Sequence, residues 1–105
     1  MTRFARQHGE YKVPGGKLVV ADLTVARGQL CDVEISGDFF LDPDETLERM
    51  VAAVEGAPVE ASVDELAARL RTATEGEGAV LLGVTPEGVA IAIRRAVEGH
   101  EGRLR

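Results

Sequence analysis

The longest regular pattern in the chain is an alternation of apolar and polar positions. From Lys17 to Ala26, Val19, Ala21, Leu23 and Val25 share one face while Leu18, Val20, Asp22 and Thr24 share the other. That is the period of a strand with one buried side. Arg27-Gly28 interrupts it as a two-residue hairpin turn, the glycine supplying the positive φ such turns need. The alternation resumes from Gln29 to Ser36, which predicts Cys31, Val33 and Ile35 inward and Asp32, Glu34 and Ser36 outward. Gly37-Asp38 breaks it, and Phe39-Phe40-Leu41 reads as a short third strand. The three segments predict an antiparallel meander with one buried face.

Helical spacing takes over downstream. Asp42 is placed to cap a helix with Pro43 at its first position and Glu45 completing a capping box. Leu47, Met50, Val51 and Val54 form its apolar stripe, and Gly56 ends it. Ser62 and Glu65 make the same box for a second helix with Val63, Leu66 and Leu70 inward. Thr85-Pro86-Glu87 opens a third, whose inner face is Val89, Ala92, Ile93, Ala96 and Val97. The stretch from Gly76 to Val84 fits a short strand, a helical turn or a packed loop. Together these elements predict a two-layer α/β (α+β) domain, a small antiparallel sheet of about three strands with helices packed on one face. Residues 1–105 are read as a single domain with its ordered core over about residues 10–98. Both ends, Met1 to Glu10 and Gly99 to Arg105, are expected to be mobile.

At 105 residues and 45% apolar composition the chain suffices for one core. No apolar run is long enough to cross a bilayer, and the start, Met1-Thr2-Arg3-Phe4-Ala5-Arg6, lacks the apolar stretch of a signal peptide. With a single cysteine, Cys31, these features predict a cytoplasmic protein free of internal disulfides. A net charge of −6 argues against nucleic acid as a partner. The basic residues are uneven, however. Arg3, Arg6, Lys12 and Lys17 fall in the first 17 positions, beside one acidic residue, Glu10.

The catalytic inventory is thin. His8 and His100 fall in the two predicted tails and Cys31 on a strand, so no metal-ligand spacing exists. The inward parity of Cys31 makes it a small core residue. Ser62, Asp42, Glu45 and Glu65 are accounted for as caps. Three apolar residues do not fit a self-sufficient domain: Leu18 and Val20 on the polar sheet face, and Ile91 opposite the buried stripe of its helix. They are the candidates for a partner interface.

The most concentrated signal is Lys12-Val13-Pro14-Gly15-Gly16-Lys17, two lysines around a Pro-Gly-Gly turn directly before a strand. It is not a P-loop, since the spacer between glycines is missing and a strand follows. Lys12, Gly15, Gly16 and Lys17 are therefore candidates for contact with a nucleotide or substrate bound mainly elsewhere. Followed by the Gly28 hairpin, Ile35-Ser36-Gly37-Asp38-Phe39-Phe40 and the helix ending at Gly56, this segment resembles the accessory domain of lipoate–protein ligases. The resemblance covers roughly residues 9–57, and Gly83-Val84-Thr85-Pro86 more loosely.

The resemblance implies the free-standing small subunit of a two-part enzyme, inactive alone and bound as a heterodimer to a separate catalytic subunit. That subunit converts lipoate and ATP, with Mg, to lipoyl-adenylate and passes the lipoyl group to lipoyl-domain acceptor proteins. The accessory domain supports the activation step, and no cofactor is expected on this chain alone. The alternative is a scaffold adaptor in cofactor or sulfur-transfer assembly, which would want an exposed, activated cysteine. An independent enzyme would need a nucleophile–base pair that the sequence does not place.

Overall fold

The computed structural model describes residues 6–75 and 78–103. Three strands, β1 (Gln7–Lys12), β2 (Leu18–Ala26) and β3 (Gln29–Gly37), form an antiparallel sheet in the order β1-β2-β3. Arg27 and Gly28 both take positive φ, 55° and 75°, as the predicted hairpin requires. Strand β4 (Phe40–Asp42) pairs antiparallel with β5 (Val80–Leu82) in a separate two-stranded ribbon. The helices are α1 (Thr46–Val54), α2 (Val63–Glu75) and α3 (Pro86–Arg103). Helix α3 packs on β1 and β2, α2 packs on α3, and α1 bridges α2 and β3. Between them lies one core, with Val19, Leu23, Leu30, Met50, Leu66, Leu70, Val89 and Ile93 at most 1% exposed. No helix among the described residues is long and apolar enough to cross a membrane.

The third strand of the sheet is not the predicted one. Gln7–Lys12 occupies the edge beside β2, His8 opposite Asp22 and Lys12 opposite Leu18. From Gln7 onward the segment expected to be a mobile tail is thus ordered sheet, while residues 1–5 lie outside the described residues. At the other end α3 continues through Arg103, past the Gly99 where mobility was expected. The physical reason β1 escaped the pattern is how it packs. Its inward positions are Gln7, Gly9 and Tyr11, not a run of large apolar side chains. A Cβ at Gly9 would lie 2.2 Å from the Ala96 nitrogen and 2.3 Å from the Ala92 oxygen, so strand and helix meet backbone to backbone. Gln7 Nε2 donates to the Ala96 carbonyl at 3.1 Å, and the Arg95 guanidinium sits 5.0 Å from the Tyr11 ring centre.

A second correction concerns parity in β3. Asp22 faces Glu34 but Thr24 faces Cys31, so β3 carries one extra residue, and Asp32 takes a φ of 51° there. The Glu55 carboxylate secures this bulge by accepting from the Asp32 and Val33 amides at 2.8 and 3.0 Å. Below the bulge Leu30 points inward at 1% exposure, and Cys31 is turned to the outer face and half-buried. Cys31 is therefore not the core residue that unbroken alternation predicts.

The expected cap of α1 is also replaced. Asp42 is committed to pairing with Val80 in the ribbon. The helix starts at Thr46, with Glu45 at the cap position making no side-chain cap bond. Main-chain bonds carry its entry, Thr46 N–H to Pro43 at 3.0 Å and Arg49 N–H to Glu45 at 3.1 Å. The Ser62 box forms as read: Ser62 N–H donates to Glu65 at 2.8 Å, and Glu65 N–H to Ser62 Oγ at 3.1 Å. Thr85 Oγ1 likewise accepts from the Gly88 amide at 3.0 Å at the head of α3.

Candidate functional site

The Pro-Gly-Gly turn joins β1 to β2 and is anchored at both ends. Gly16 N–H donates to the Val13 carbonyl at 2.8 Å and Val13 N–H to the Lys17 carbonyl at 3.1 Å. Lys17 N–H reaches out of the turn to the Gly83 carbonyl, 2.8 Å away, just beyond the end of β5. A Cβ on Gly16 would be 2.7 Å from the same carbonyl, and one on Gly83 would be 2.8 Å from Lys17 Cγ. Gly16 and Gly83 thus let this turn and the β5–α3 junction close on each other, with the lysine stem laid across Gly83. The molecule that approaches Gly16 is this chain itself. Gly15, at φ 72°, has no atom of the described residues within 4 Å of its open side. A shallow cleft of about 210 Å³ runs between turn and junction, lined by Gly15, Gly83, Val84 and Thr85 among others.

Lys12 and Lys17 are both exposed, and Lys12 Nζ donates to the Val13 carbonyl at 3.3 Å. Lys12 lies across the ladder from Leu18 on the open sheet face, and Lys17 lies against Gly83. The lysines therefore flank one corner of the molecule from two sides. The two segments of the sequence resemblance meet here. Val19 pairs with Gly37, and a Cβ on Gly37 would fall 2.4 Å from the Leu18 carbonyl and 2.7 Å from the Phe39 ring.

Of the interface candidates, Leu18 is 42% exposed, whereas Val20 and Ile91 are half-buried. Leu18 and Val20 share the open face, and Ile91 belongs to the helical layer on the other side of the sheet. Pattern reading missed the larger apolar surface. Phe40, Val80 and Leu82 are 58, 46 and 57% exposed, and Phe40 stands directly across from Leu82. The signal was present in the run Ala79-Val80-Leu81-Leu82. What was missing was its pairing with Phe40–Asp42.

The rest of the open face is a network of charges. His8 sits between two carboxylates, Nδ1 2.7 Å from Asp22 and Nε2 2.7 Å from Glu10. The Glu10 bond first, and then the Asp22 bond, hold its pKa above the ordinary histidine value of 6.5. Arg6 reaches over the sheet to Glu34 at 3.1 Å and to the Asp32 carbonyl at 2.6 Å. The Cys31 thiol donates to the Gln29 carbonyl at 3.7 Å. Among the described residues no group of three His, Cys, Asp or Glu side chains is placed to hold a metal ion.

No protein-family model matches this sequence, and a search of curated proteins finds no match. Among solved structures, a chain from an archaeal system superposes with a TM-score of 0.64. That system is a lipoylation system. It is described as a bi-partite lipoate protein ligase and its E2 lipoyl domain from Thermoplasma acidophilum. The match covers 90% of this chain and 98% of that one at 23% identity, so the two share a fold over nearly their whole lengths. This chain is similar in structure to a component of a lipoylation system.

Proposed function

We propose that this chain is the non-catalytic small subunit of a two-part lipoate–protein ligase. It binds a separate catalytic subunit and supports the ATP-dependent conversion of lipoate to lipoyl-adenylate. The observation that carries the reading is the meeting of Lys12–Leu18 and Ile35–Phe40 at one exposed corner, on a fold seen in a lipoylation system. The corner offers positive charge and an accessible Gly15 backbone, but no nucleophile–base pair. ATP with its Mg ion, and lipoate, are accordingly assigned to the catalytic subunit.

Activation brings the phosphates of ATP and the lipoate carboxylate together, so an assembled site gains from fixed positive charge at its edge. Lys17 is the better placed of the two lysines, because its backbone is pinned to Gly83 and its stem has a defined course. Lys17→Ala, and to a smaller extent Lys12→Ala, should slow lipoyl-adenylate formation by the complex. Loss of one charge-assisted contact costs roughly 1.5–3 kcal/mol, about ten- to a hundredfold in rate. Transfer from preformed lipoyl-adenylate should be spared. Variants that bind the partner and activate lipoate at the normal rate would reduce the segment to a structural turn.

The outward turn of Cys31 favours one second reading, an adaptor that carries sulfur on that thiol. The thiol's bond to the Gln29 carbonyl offers it no activating base. A folded Cys31→Ala protein that still supports lipoate activation excludes this reading.

A further inference from the structure

Four large apolar side chains are exposed among the described residues: Leu18, Phe40, Val80 and Leu82. They are not scattered. Phe40 faces Leu82 and Val80 faces Asp42 on the outward side of the β4–β5 ribbon, while Leu41 and Leu81 pack against the core. The residue after Leu82 is Gly83, whose carbonyl holds the Lys17 amide, and the residue after Lys17 is Leu18. The apolar ribbon therefore runs directly into the lysine corner. A ribbon of two three-residue strands has little stability of its own, and three solvated apolar side chains on it gain nothing from folding. An aromatic residue at the centre of such a patch is the usual anchor of a protein interface.

We infer that the outward face of β4–β5, anchored by Phe40 and Leu82 and continuing onto Leu18, is the surface on which the ligase's catalytic subunit docks. The inference rests on the proposed function and names the contact that function needs. Charge and size specify the occupant. The patch ends in Asp42 on one side and Lys17 on the other. The complementary surface is therefore apolar at its centre, with a cation toward Asp42 and, toward Lys17, the negative charge of the activation site itself. A second copy of this chain is the poorer fit, because two bodies of net charge −6 repel. The ribbon face alone spans on the order of 100 Å², against about 800 Å² per partner in a stable complex. A larger partner reaches that area by extending over the lysine corner. Docking and the supply of charge to the activation site are then functions of one continuous surface.

The test compares Phe40→Ser, Leu82→Glu and Asp42→Lys with wild type and with Val20→Glu on the open sheet face. Each purified full chain is titrated against the candidate catalytic subunit by calorimetry, with circular dichroism as the check on folding. Wild type should bind, and Phe40→Ser and Leu82→Glu should each weaken binding at least tenfold. Asp42→Lys should weaken it severalfold at low salt, and Val20→Glu should change it least. The two apolar changes lie on different strands, so misfolding of one variant leaves the other to decide. Binding of wild type with unchanged affinity in the ribbon variants overturns this inference and leaves the ligase-subunit reading standing. Absence of wild-type binding overturns that reading, and this inference with it. A wild-type self-dimer dispersed by Leu82→Glu, measured by sedimentation, assigns the face to a second copy and also overturns the inference.

Discussion

Replacing Gly9 by alanine adds one methyl group to a buried position of an edge strand and should cost as much as many core truncations. The new Cβ would lie 2.2 Å from the Ala96 nitrogen and 2.3 Å from the Ala92 oxygen. Optimal non-bonded separations are about 3.5 Å or more, so the overlap exceeds about 1 Å. Both obstacles are helix backbone and cannot rotate aside. The strand or α3 must move as a body, and α3 carries Val89, Ala92, Ile93 and Ala96 at 0% exposure. Overpacking of this kind costs about 1–3 kcal/mol, and the rigid obstacle places Gly9→Ala at or above about 3 kcal/mol. For a domain of this size that is roughly 12–24 °C in Tm. Thermal and urea unfolding followed by circular dichroism measure it directly. Gly99→Ala on the same helix is the control, since among the described residues a Cβ there would meet only the His8 oxygen, at an ordinary 3.9 Å. There the helix-propensity gain of up to about 1 kcal/mol should raise stability. If Gly9→Ala melts within about 2 °C of wild type, the backbone contact between β1 and α3 is not what the geometry says it is.

Thr46 is fully buried, and its hydroxyl has no hydrogen-bond partner among the described residues, so Thr46→Val should stabilise by about 1 kcal/mol in urea unfolding. His8 gains its two carboxylate partners only on folding, which raises its pKa above 6.5. Its contribution to stability is therefore fully present below about pH 6.5 and is lost as pH rises through the higher folded value. An NMR titration should place the His8 midpoint above 6.5, and Glu10→Gln should lower it.

Elements whose packing relies on apolar side chains were legible in the sequence, and elements held by backbone contact were not. The β2–β3 hairpin, the Ser62–Glu65 box, the Thr85 start and the buried faces of α2 and α3 follow from spacing and cap chemistry. Strand β1 carries Gln7 and Gly9 where an apolar alternation would be sought, because α3 comes too close for a side chain. The Asp32 bulge reverses inward and outward for Leu30 and Cys31 without a glycine to announce it. The fate of Asp42 hinged on a strand nearly forty residues downstream, which local cap rules cannot see. For the candidate site, Lys12, Lys17 and the turn were visible as composition. Gly83 as their docking point, and the exposed ribbon beside them, depend on long-range pairing that no local pattern records.

Whether this chain is an activating subunit is decided by lipoyl-adenylate formation from lipoate and ATP. The assay uses a purified candidate catalytic subunit that lacks this domain, with this chain present and absent. Efficient activation is expected only when both chains are present, with no activation by this chain alone and with transfer from preformed lipoyl-adenylate by the catalytic subunit alone. Equal activation by the catalytic subunit without this chain, or lipoyl-adenylate made by this chain alone, would overturn the small-subunit reading.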